Sequence, residues 1–541
     1  MGSSLTRKAF LVTALALMAV PSSSALAQSE PRTRVVVTDS AAKPGSTPVS
    51  DNSATALPLL RTRISMTIAN PALRRGSVGI KVISLDSGET VYERDAEKYF
   101  MPASNMKSFT VAAALDRLGP EHRFTTSIYA PAKPEGGVVK GDLIIFGRGD
   151  PAFSWRYNGG DWLVAIDNLA DKLIAAGVKK IEGNIVGDGS YFNTEAVPFG
   201  WEWDDLQWYY GAEVSALSVN DNVVVMKVSP STIGLAPLVA FEPTSTLFRV
   251  VNTAKTVPSG ERKTLKIAKR PKDNVYEISG NLPAGDPGFS GTVSISNPPQ
   301  VFADLLKQRL ALKGVTVTGN ALGVDRFDRG GEPLKTEGLF EVVSHPSPPL
   351  SLIAENTMKP SQNLYTEILL RSLGETTGDP SDLRKTSEEK GMAVINELLK
   401  KAGVPLDSVV QYDASGLSRH NLITPNASAM LYKYLDTARY SAFWKNSLTI
   451  GGVDGTLRRR FKGTSASGNV RGKTGTIDQV SALSGYVTSK AGERFAFAII
   501  TNGIPDAGTR VSAIDEIVLQ LANLEEKTFF DPTPQVVKTV Q

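Results

Sequence analysis

Met101-Pro102-Ala103-Ser104-Asn105-Met106-Lys107-Ser108-Phe109-Thr110-Val111-Ala112-Ala113-Ala114-Leu115 is the stretch on which the reading of this 541-residue chain turns. Apolar side chains at Met106, Phe109 and Ala113 recur at helical spacing, so the stretch predicts a largely buried helix. Pro102 stands at its start, where proline is tolerated, and Gly119-Pro120 ends it. Ser104 and Lys107 are three residues apart, which on a helix places them on one face, one turn apart. A serine hydroxyl is a poor nucleophile until a neighbouring base accepts its proton, and a lysine desolvated in a mostly apolar helix can have its pKa lowered into that role. Backbone N–H groups at the helix start suit an oxyanion near the same oxygen. Ser-x-x-Lys alone is a weak signal: it recurs at Ser40 and at Ser387, and a capping serine beside a surface lysine would read the same way.

Working outward, residues 59–68 carry a helical pattern and 77–83 alternate as a half-buried strand. A turn at 86–89 then leads into a returning strand that starts at 90–92. Far along the chain, 468–476 reads as extended, 480–488 and 495–501 as strands joined by a turn at 490–493, and 512–524 as an apolar-striped helix. These patterns predict one α/β domain of α+β layers, its antiparallel sheet flanked by helices and completed by both ends of the chain. The middle is then an insertion of short strand patterns, such as 141–147 and 222–228, with one clear helix at 300–312.

Composition narrows the chemistry. Hydrophobic residues make up 41% and charged residues 21%, which sets aside fibrous and wholly disordered classes. A formal charge of +4 gives no ground for a nucleic-acid or membrane-surface role. With no cysteine, disulfides, iron–sulfur clusters, thiolate zinc sites and thiol nucleophiles all drop out. His122, His345 and His420 form no HExxH motif and no recognisable Ser-His-Asp context, so no metal and no cofactor is expected. Arg7 and Lys8 precede an apolar run at 9–20, and Ala25-Leu26-Ala27 offers a small-x-small cleavage site. Residues 1–27 therefore read as a signal peptide for export, and the run is too short to span a bilayer. Residues 28–57 read as a disordered linker and 526–541 as a flexible tail.

Two further elements join Ser104. Pro360 interrupts a helical pattern at 350–358, and Ser361-Gln362-Asn363 opens a second one. A Ser and an Asn in such a loop can pass protons and hold a substrate amide, although a helix cap explains them equally well, and Ser-x-Asn also occurs at Ser50, Ser218 and Ser467. Lys473-Thr474-Gly475 occurs once, before a strand, and Thr476 follows it. The segment offers a cation, a hydroxyl and a glycine where a ligand backbone can approach closely, unless the lysine merely guards a sheet edge.

In this order, Ser-x-x-Lys, Ser-x-Asn and Lys-Thr-Gly resemble the signature of penicillin-binding proteins and serine β-lactamases. The first and second serines are 257 residues apart, which leaves room for whole inserted domains, and the second serine precedes Lys473 by 112. That spacing is similar to peptidase family S13, the D-alanyl-D-alanine carboxypeptidase/endopeptidase group of class C low-molecular-mass penicillin-binding proteins. Gly147-Arg148-Gly149-Asp150-Pro151, Trp203-Asp204-Asp205-Leu206, Ser415-Gly416-Leu417-Ser418-Arg419 and Asp454-Gly455-Thr456-Leu457 resemble the same group. The resemblance implies Ser104 as the acylated nucleophile, Lys107 as its base, Ser361 as a proton relay to the leaving D-alanine and Asn363 as a holder of the acyl-side amide. It further implies that Lys473 and Thr474 bind the terminal carboxylate, that Gly475 lies beside the substrate, and that the N–H groups of Ser104 and Thr476 form the oxyanion hole. Arg419 and the segment from Asp205 to Tyr210 resemble the part that meets the third peptide residue. Gln362 stands where aspartate is common, Ala414 where glycine is usual, and Asp478 where some relatives carry an amide.

The implied partners are peptidoglycan stem peptides and β-lactam antibiotics as covalent inhibitors, with no nucleic acid and no membrane span in the mature chain. The implied location is the periplasm. A transpeptidase-like catalytic domain would comprise 58–125 and 340–525, a second domain 126–221 and 296–339, and a third 222–295. A serine β-lactamase is the nearest rival. Its glutamate-activated water usually comes from a Glu-x-x-x-Asn loop, and none occurs between 364 and 472. A non-catalytic peptidoglycan-binding module of the same fold is the rival of another class.

Overall fold

Strand Ser77–Ser84 pairs on one side with Thr90–Arg94 and on the other with Arg494–Asn502, so the start and the end of the folded chain meet in one sheet. The computed structural model describes residues 53–379 and 384–529; the segment read as a signal peptide lies outside them, as do most of the linker and the tail. Beyond Arg494–Asn502 the sheet continues through Val480–Thr488 and Arg471–Ile477 to the two-residue strand Thr449–Ile450, and every neighbouring pair is antiparallel.

Alternation along Arg494–Asn502 separates two helical layers. Phe495, Phe497 and Ile499 face a core that contains Leu60, Ile64, Ile514, Ile517 and Leu521, from helices Ser53–Ile68 and Ala507–Ala522. Ala496 and Ile500 face the opposite core, with Phe109, Ile353, Leu431 and Trp444 from helices Lys107–Arg117, Leu350–Met358, Pro425–Thr437 and Ser441–Ser447. Alanines at 482, 496 and 498 on that second face let the helices approach the sheet closely. The predicted arrangement, an antiparallel sheet closed by both ends of the chain and covered by helices, is the one observed.

A mixed five-stranded sheet follows the Ser104 helix, in the order Ala321–Val324, Ile185–Asp188, Leu143–Phe146, Thr125–Ala130, Phe340–Pro346. Helices Leu163–Ala175 and Pro298–Leu312 cover it. Between residues 223 and 294 lie two further three-stranded sheets, one antiparallel around Val223–Ser229 and one around Val275–Ser279.

Three boundaries differ from the sequence reading. The first helix begins at Ser53, inside the stretch read as linker, because Leu60, Ile64 and Ile68 bury one face against the last helix. Thr528 donates to the Glu493 carboxylate from both its N–H (2.8 Å) and its hydroxyl (2.7 Å), which ties down residues placed in the tail. Phe340–Pro346 pairs with Thr125–Ala130 and so belongs to the five-stranded sheet. Among the described residues no helix is long and apolar enough to cross a membrane.

Candidate active site

The Ser104 segment is a 3-10 turn, Ala103–Met106, that passes into the α-helix Lys107–Arg117, where the sequence had suggested one continuous helix. Ala103 has φ +46°, a left-handed conformation costly for a residue with a Cβ. Packing holds it there. Gly416, itself at φ +81°, lies against the Ala103 carbonyl where any side chain would collide, and the turn rests on strand Arg471–Ile477. Gly475 meets the turn from the sheet side: a Cβ there would fall 2.5 Å from the Pro102 carbonyl oxygen and 2.9 Å from Asn105 Nδ2. Asn105 Nδ2 also donates to the Lys473 carbonyl at 3.1 Å, locking turn to strand.

Lys107 is fully buried, and its Nζ has three neighbours: Ser104 Oγ at 2.9 Å, Asn363 Oδ1 at 2.6 Å and the Ser415 carbonyl at 2.7 Å. The last two can only accept hydrogen bonds, whereas a hydroxyl can also donate. A neutral amine therefore places its two N–H groups on the amide and carbonyl oxygens and turns its lone pair toward the Ser104 O–H. Burial brings Lys107 down from its usual 10.5 to about 7, against the opposing pull of the Asp413 carboxylate and, when it is ionised, of Glu367.

Ser361 and Asn363 come from the break between helices Leu350–Met358 and Asn363–Thr377. Ser361 also adopts a left-handed backbone, φ +64°. Lys473 Nζ donates to Ser361 Oγ at 2.8 Å and to the Thr474 carbonyl at 2.8 Å. Lys473 is fully buried, and burial first, then the nearby Lys107 charge, hold it well below its ordinary value. Thr474 Oγ1 donates to Thr456 Oγ1 at 2.7 Å, while Thr476, two residues on, is exposed. Ser104, Lys107, Ser361, Asn363 and Lys473 thus converge from three distant segments.

Behind Lys107 lie two buried carboxylates that the motifs did not announce. Glu367 Oε1 accepts from the N–H groups of Ala414 (3.0 Å) and Ser415 (2.8 Å). Asp413 accepts from Trp201 Nε1 (2.9 Å), the Gly416 N–H (2.7 Å), the Ser418 N–H (2.8 Å) and Asn421 Nδ2 (2.6 Å). Together they fix the loop whose Ser415 carbonyl meets Lys107. Burial, then Asp413, push Glu367 up to about 8. Their only trace in the sequence is the Ser415-Gly416-Leu417-Ser418-Arg419 stretch beside Asp413.

Arg419, Asp205 and Tyr210 form a second group. Arg419 Nε donates to Glu202 Oε1 at 2.6 Å, and its guanidinium lies 3.8 Å from Asp478 Oδ2. Burial first, then Asp204 and Glu202, push Asp205 up to about 6, with Arg419 opposing them. Burial and then Asp205 push the Tyr210 hydroxyl up as well. Asn363 Nδ2 donates to the Tyr210 carbonyl at 2.8 Å and joins this group to the first.

Comparison with known proteins places the chain in a family. The chain matches the D-Ala-D-Ala carboxypeptidase 3 (S13) family over residues 60–524. It is 33% identical to the D-alanyl-D-alanine carboxypeptidase of Actinomadura sp. (strain R39) over 486 residues, 88% of this chain and 86% of the relative. It is 25% identical to D-alanyl-D-alanine carboxypeptidase DacB of Haemophilus influenzae over 430 residues, 79% of this chain and 85% of that one. In three dimensions it resembles penicillin binding protein 4 (dacB) from Haemophilus influenzae with a TM-score of 0.73 at 23% identity, covering 86% of this chain and 99% of that chain. A second structure of that protein, complexed with a novel β-lactam, matches with a TM-score of 0.67 at 21% identity, covering 85% and 98%. With a family match that takes in both terminal halves of its main sheet and all three motifs, the chain belongs to the D-Ala-D-Ala carboxypeptidase 3 (S13) family.

Proposed function

We propose that this D-Ala-D-Ala peptidase cleaves peptidoglycan stem peptides, and the cross-links between them, through an acyl-enzyme on Ser104. The observation that carries the reading is the buried Lys107 amine held 2.9 Å from Ser104 Oγ, with Lys473 2.8 Å from Ser361 Oγ in the same cleft. Neutral Lys107 removes the Ser104 proton as Oγ bonds to the carbonyl carbon of the penultimate D-alanine, and the N–H groups of Ser104 and Thr476 receive the oxyanion. The C–N bond then breaks, and the proton passes from Lys107 through Ser361 to the departing amine. Water, deprotonated by Lys107, releases the peptide and restores the serine.

Lys473, held short of its ordinary basicity, gains a counter-ion when the substrate's terminal carboxylate enters beside Thr474 and Gly475, so binding and charging are coupled. Asn363 orients the acyl-side amide. Arg419, Asp205 and Tyr210 receive the third-residue side chain, and the surplus of carboxylates there (Glu202, Asp204, Asp205, Asp478) favours one that ends in an amino group. β-Lactams acylate the same serine. No Glu-x-x-x-Asn pattern stands between 364 and 472 to hydrolyse the adduct, which supports an inhibited enzyme over a β-lactamase.

Export by residues 1–27 to the periplasm completes the reading, since the wall lies outside the cytoplasmic membrane. The catalytic domain read as 58–125 and 340–525 is redrawn as about 53–124 and 347–525 around two insertions, because Phe340–Pro346 pairs with Thr125–Ala130 in the inserted sheet and the first helix starts at Ser53. In the test, Ser104→Ala is incubated with cross-linked and uncross-linked muropeptides. Loss of D-alanine release and of cross-link cleavage is expected, and unchanged cell-wall activity would favour a binding module instead.

A further inference from the structure

Along 361–363 the side chains alternate: Ser361 and Asn363 turn into the cleft, toward Lys473 and Lys107, while Gln362 turns away from it. Gln362 is buried, and both ends of its amide are used. Its Oε1 accepts the Leu364 N–H at 3.0 Å, capping the helix Asn363–Thr377, and its Nε2 donates to Asp221 Oδ2 at 3.2 Å.

Asp221 is the centre of a closed polar network. Its Oδ2 also accepts from Arg156 Nε at 2.8 Å, and its Oδ1 accepts from Ser154 Oγ at 2.7 Å and Tyr365 Oη at 2.5 Å. It is 4% exposed, so four donors, one of them the Arg156 cation, balance a carboxylate that would otherwise be costly to bury. The backbone is unusual too. Asn220, Asp221 and Asn222 have φ of +46°, +57° and +53°, three successive left-handed residues, which persist only where the surroundings over-determine them. Here the Val219 N–H donates to Asn222 Oδ1 (3.0 Å), Asn222 Nδ2 donates to the Glu213 carbonyl (2.8 Å), and the Asn220 N–H donates to the Phe153 carbonyl (2.6 Å).

We infer that Asp221 is a positioning residue for the reaction: through Gln362 it fixes the left-handed Ser361 and the first residue of the following helix, Asn363. The strained 220–222 turn and its partners on 154–156 form a rigid anchor outside the main sheet. The 361–363 loop is pinned to that anchor by one donor, one residue away from each of two cleft side chains. Displacement of about 1 Å at a reacting group costs on the order of 100-fold in rate, so a single mis-set hydrogen bond here reaches the chemistry.

The inference rests on the roles proposed for Ser361 and Asn363, and its test separates the two. Gln362→Glu keeps shape and the acceptor for Leu364 but sets a carboxylate against Asp221. The rate of acylation by benzylpenicillin is expected to fall about 10- to 100-fold per folded molecule. Asp221→Asn combined with Gln362→Glu restores a donor–acceptor pair with reversed polarity and is expected to recover at least part of that loss. Melting temperatures of all variants are measured alongside. A lowered melting temperature in Gln362→Glu with an unchanged acylation rate would overturn the inference, as would a double variant no faster than the single one. Ser361→Ala is the control: if it acylates at the wild-type rate, the proposed role of Ser361 fails, whatever Gln362→Glu does.

Discussion

Lys107 Nζ and Ser104 Oγ lie 2.9 Å apart, and the lysine is fully buried. Because burial lowers this amine to about 7, it is a neutral amine above that pH, able to act as the proposed base, and a protonated ammonium below it. Acylation by benzylpenicillin is expected to lose about tenfold per pH unit below 7 and to level off above it. Stopped-flow rates across this range check the point. A rate that is flat into the acid range, or that climbs only toward 10, would show that another group is the base.

The two carboxylates behind Lys107 are expected to differ in effect. Asp413 favours the ammonium form, so Asp413→Asn moves the acid limb of the pH profile to lower pH. Glu367, pushed up to about 8, is mostly protonated at pH 7, and a glutamine keeps the acceptor for the Ala414 and Ser415 N–H groups. Glu367→Gln should therefore change the pH 7 rate by about twofold or less, a fraction of the 1.36 kcal/mol that one pKa unit represents.

Gly475 has no room for a methyl group. Alanine there must move the Pro102 carbonyl or the Asn105 amide, which would separate the turn carrying Ser104 from the strand carrying Lys473. Gly475→Ala is expected to cost about 1–3 kcal/mol of stability and to slow acylation more than the stability loss accounts for. Denaturant melts and acylation rates on the same preparation separate the two effects.

Asp205 and Arg419 are proposed to meet the third peptide residue and make no hydrogen bond or ion pair with Ser104, so their effects should appear in substrate binding. Asp205→Asn is expected to raise KM for stem peptides with an amine-bearing third residue while leaving benzylpenicillin acylation unchanged. In the wild type the same KM should rise as pH falls through about 6, where Asp205 takes up its proton. A KM insensitive to both changes would place the third residue elsewhere.

Much of this was legible in the chain, and the reason is chemical. Ser104, Lys107, Ser361, Asn363 and Lys473, which the structure brings together, carry the groups proposed to react or bind, and such groups need particular residue types at particular spacings. The main sheet was legible because its strands alternate cleanly between two cores. Asp413, Glu367 and Asp221 were not, since an acidic residue reveals its role only when burial and partners are known. The left-handed backbone of Ala103 and Ser361 left no trace either: packing against Gly416 and Gly475 holds the first, and we infer that the Gln362–Asp221 bond holds the second, in residues that do not prefer it. Thr449–Ile450 is too short to show any alternation. Phe340–Pro346 shows no clean alternation, its register shifting between Glu341 and Val343, and nothing in its own residues says which sheet it joins.

Intact-protein mass spectrometry after exposure to benzylpenicillin, followed by peptide mapping, tests the central claim most directly. One penicilloyl group is expected, located on Ser104, persistent after the free drug is removed and absent from Ser104→Ala. An adduct on a different serine, or one that disappears as quickly as it forms, would contradict the account.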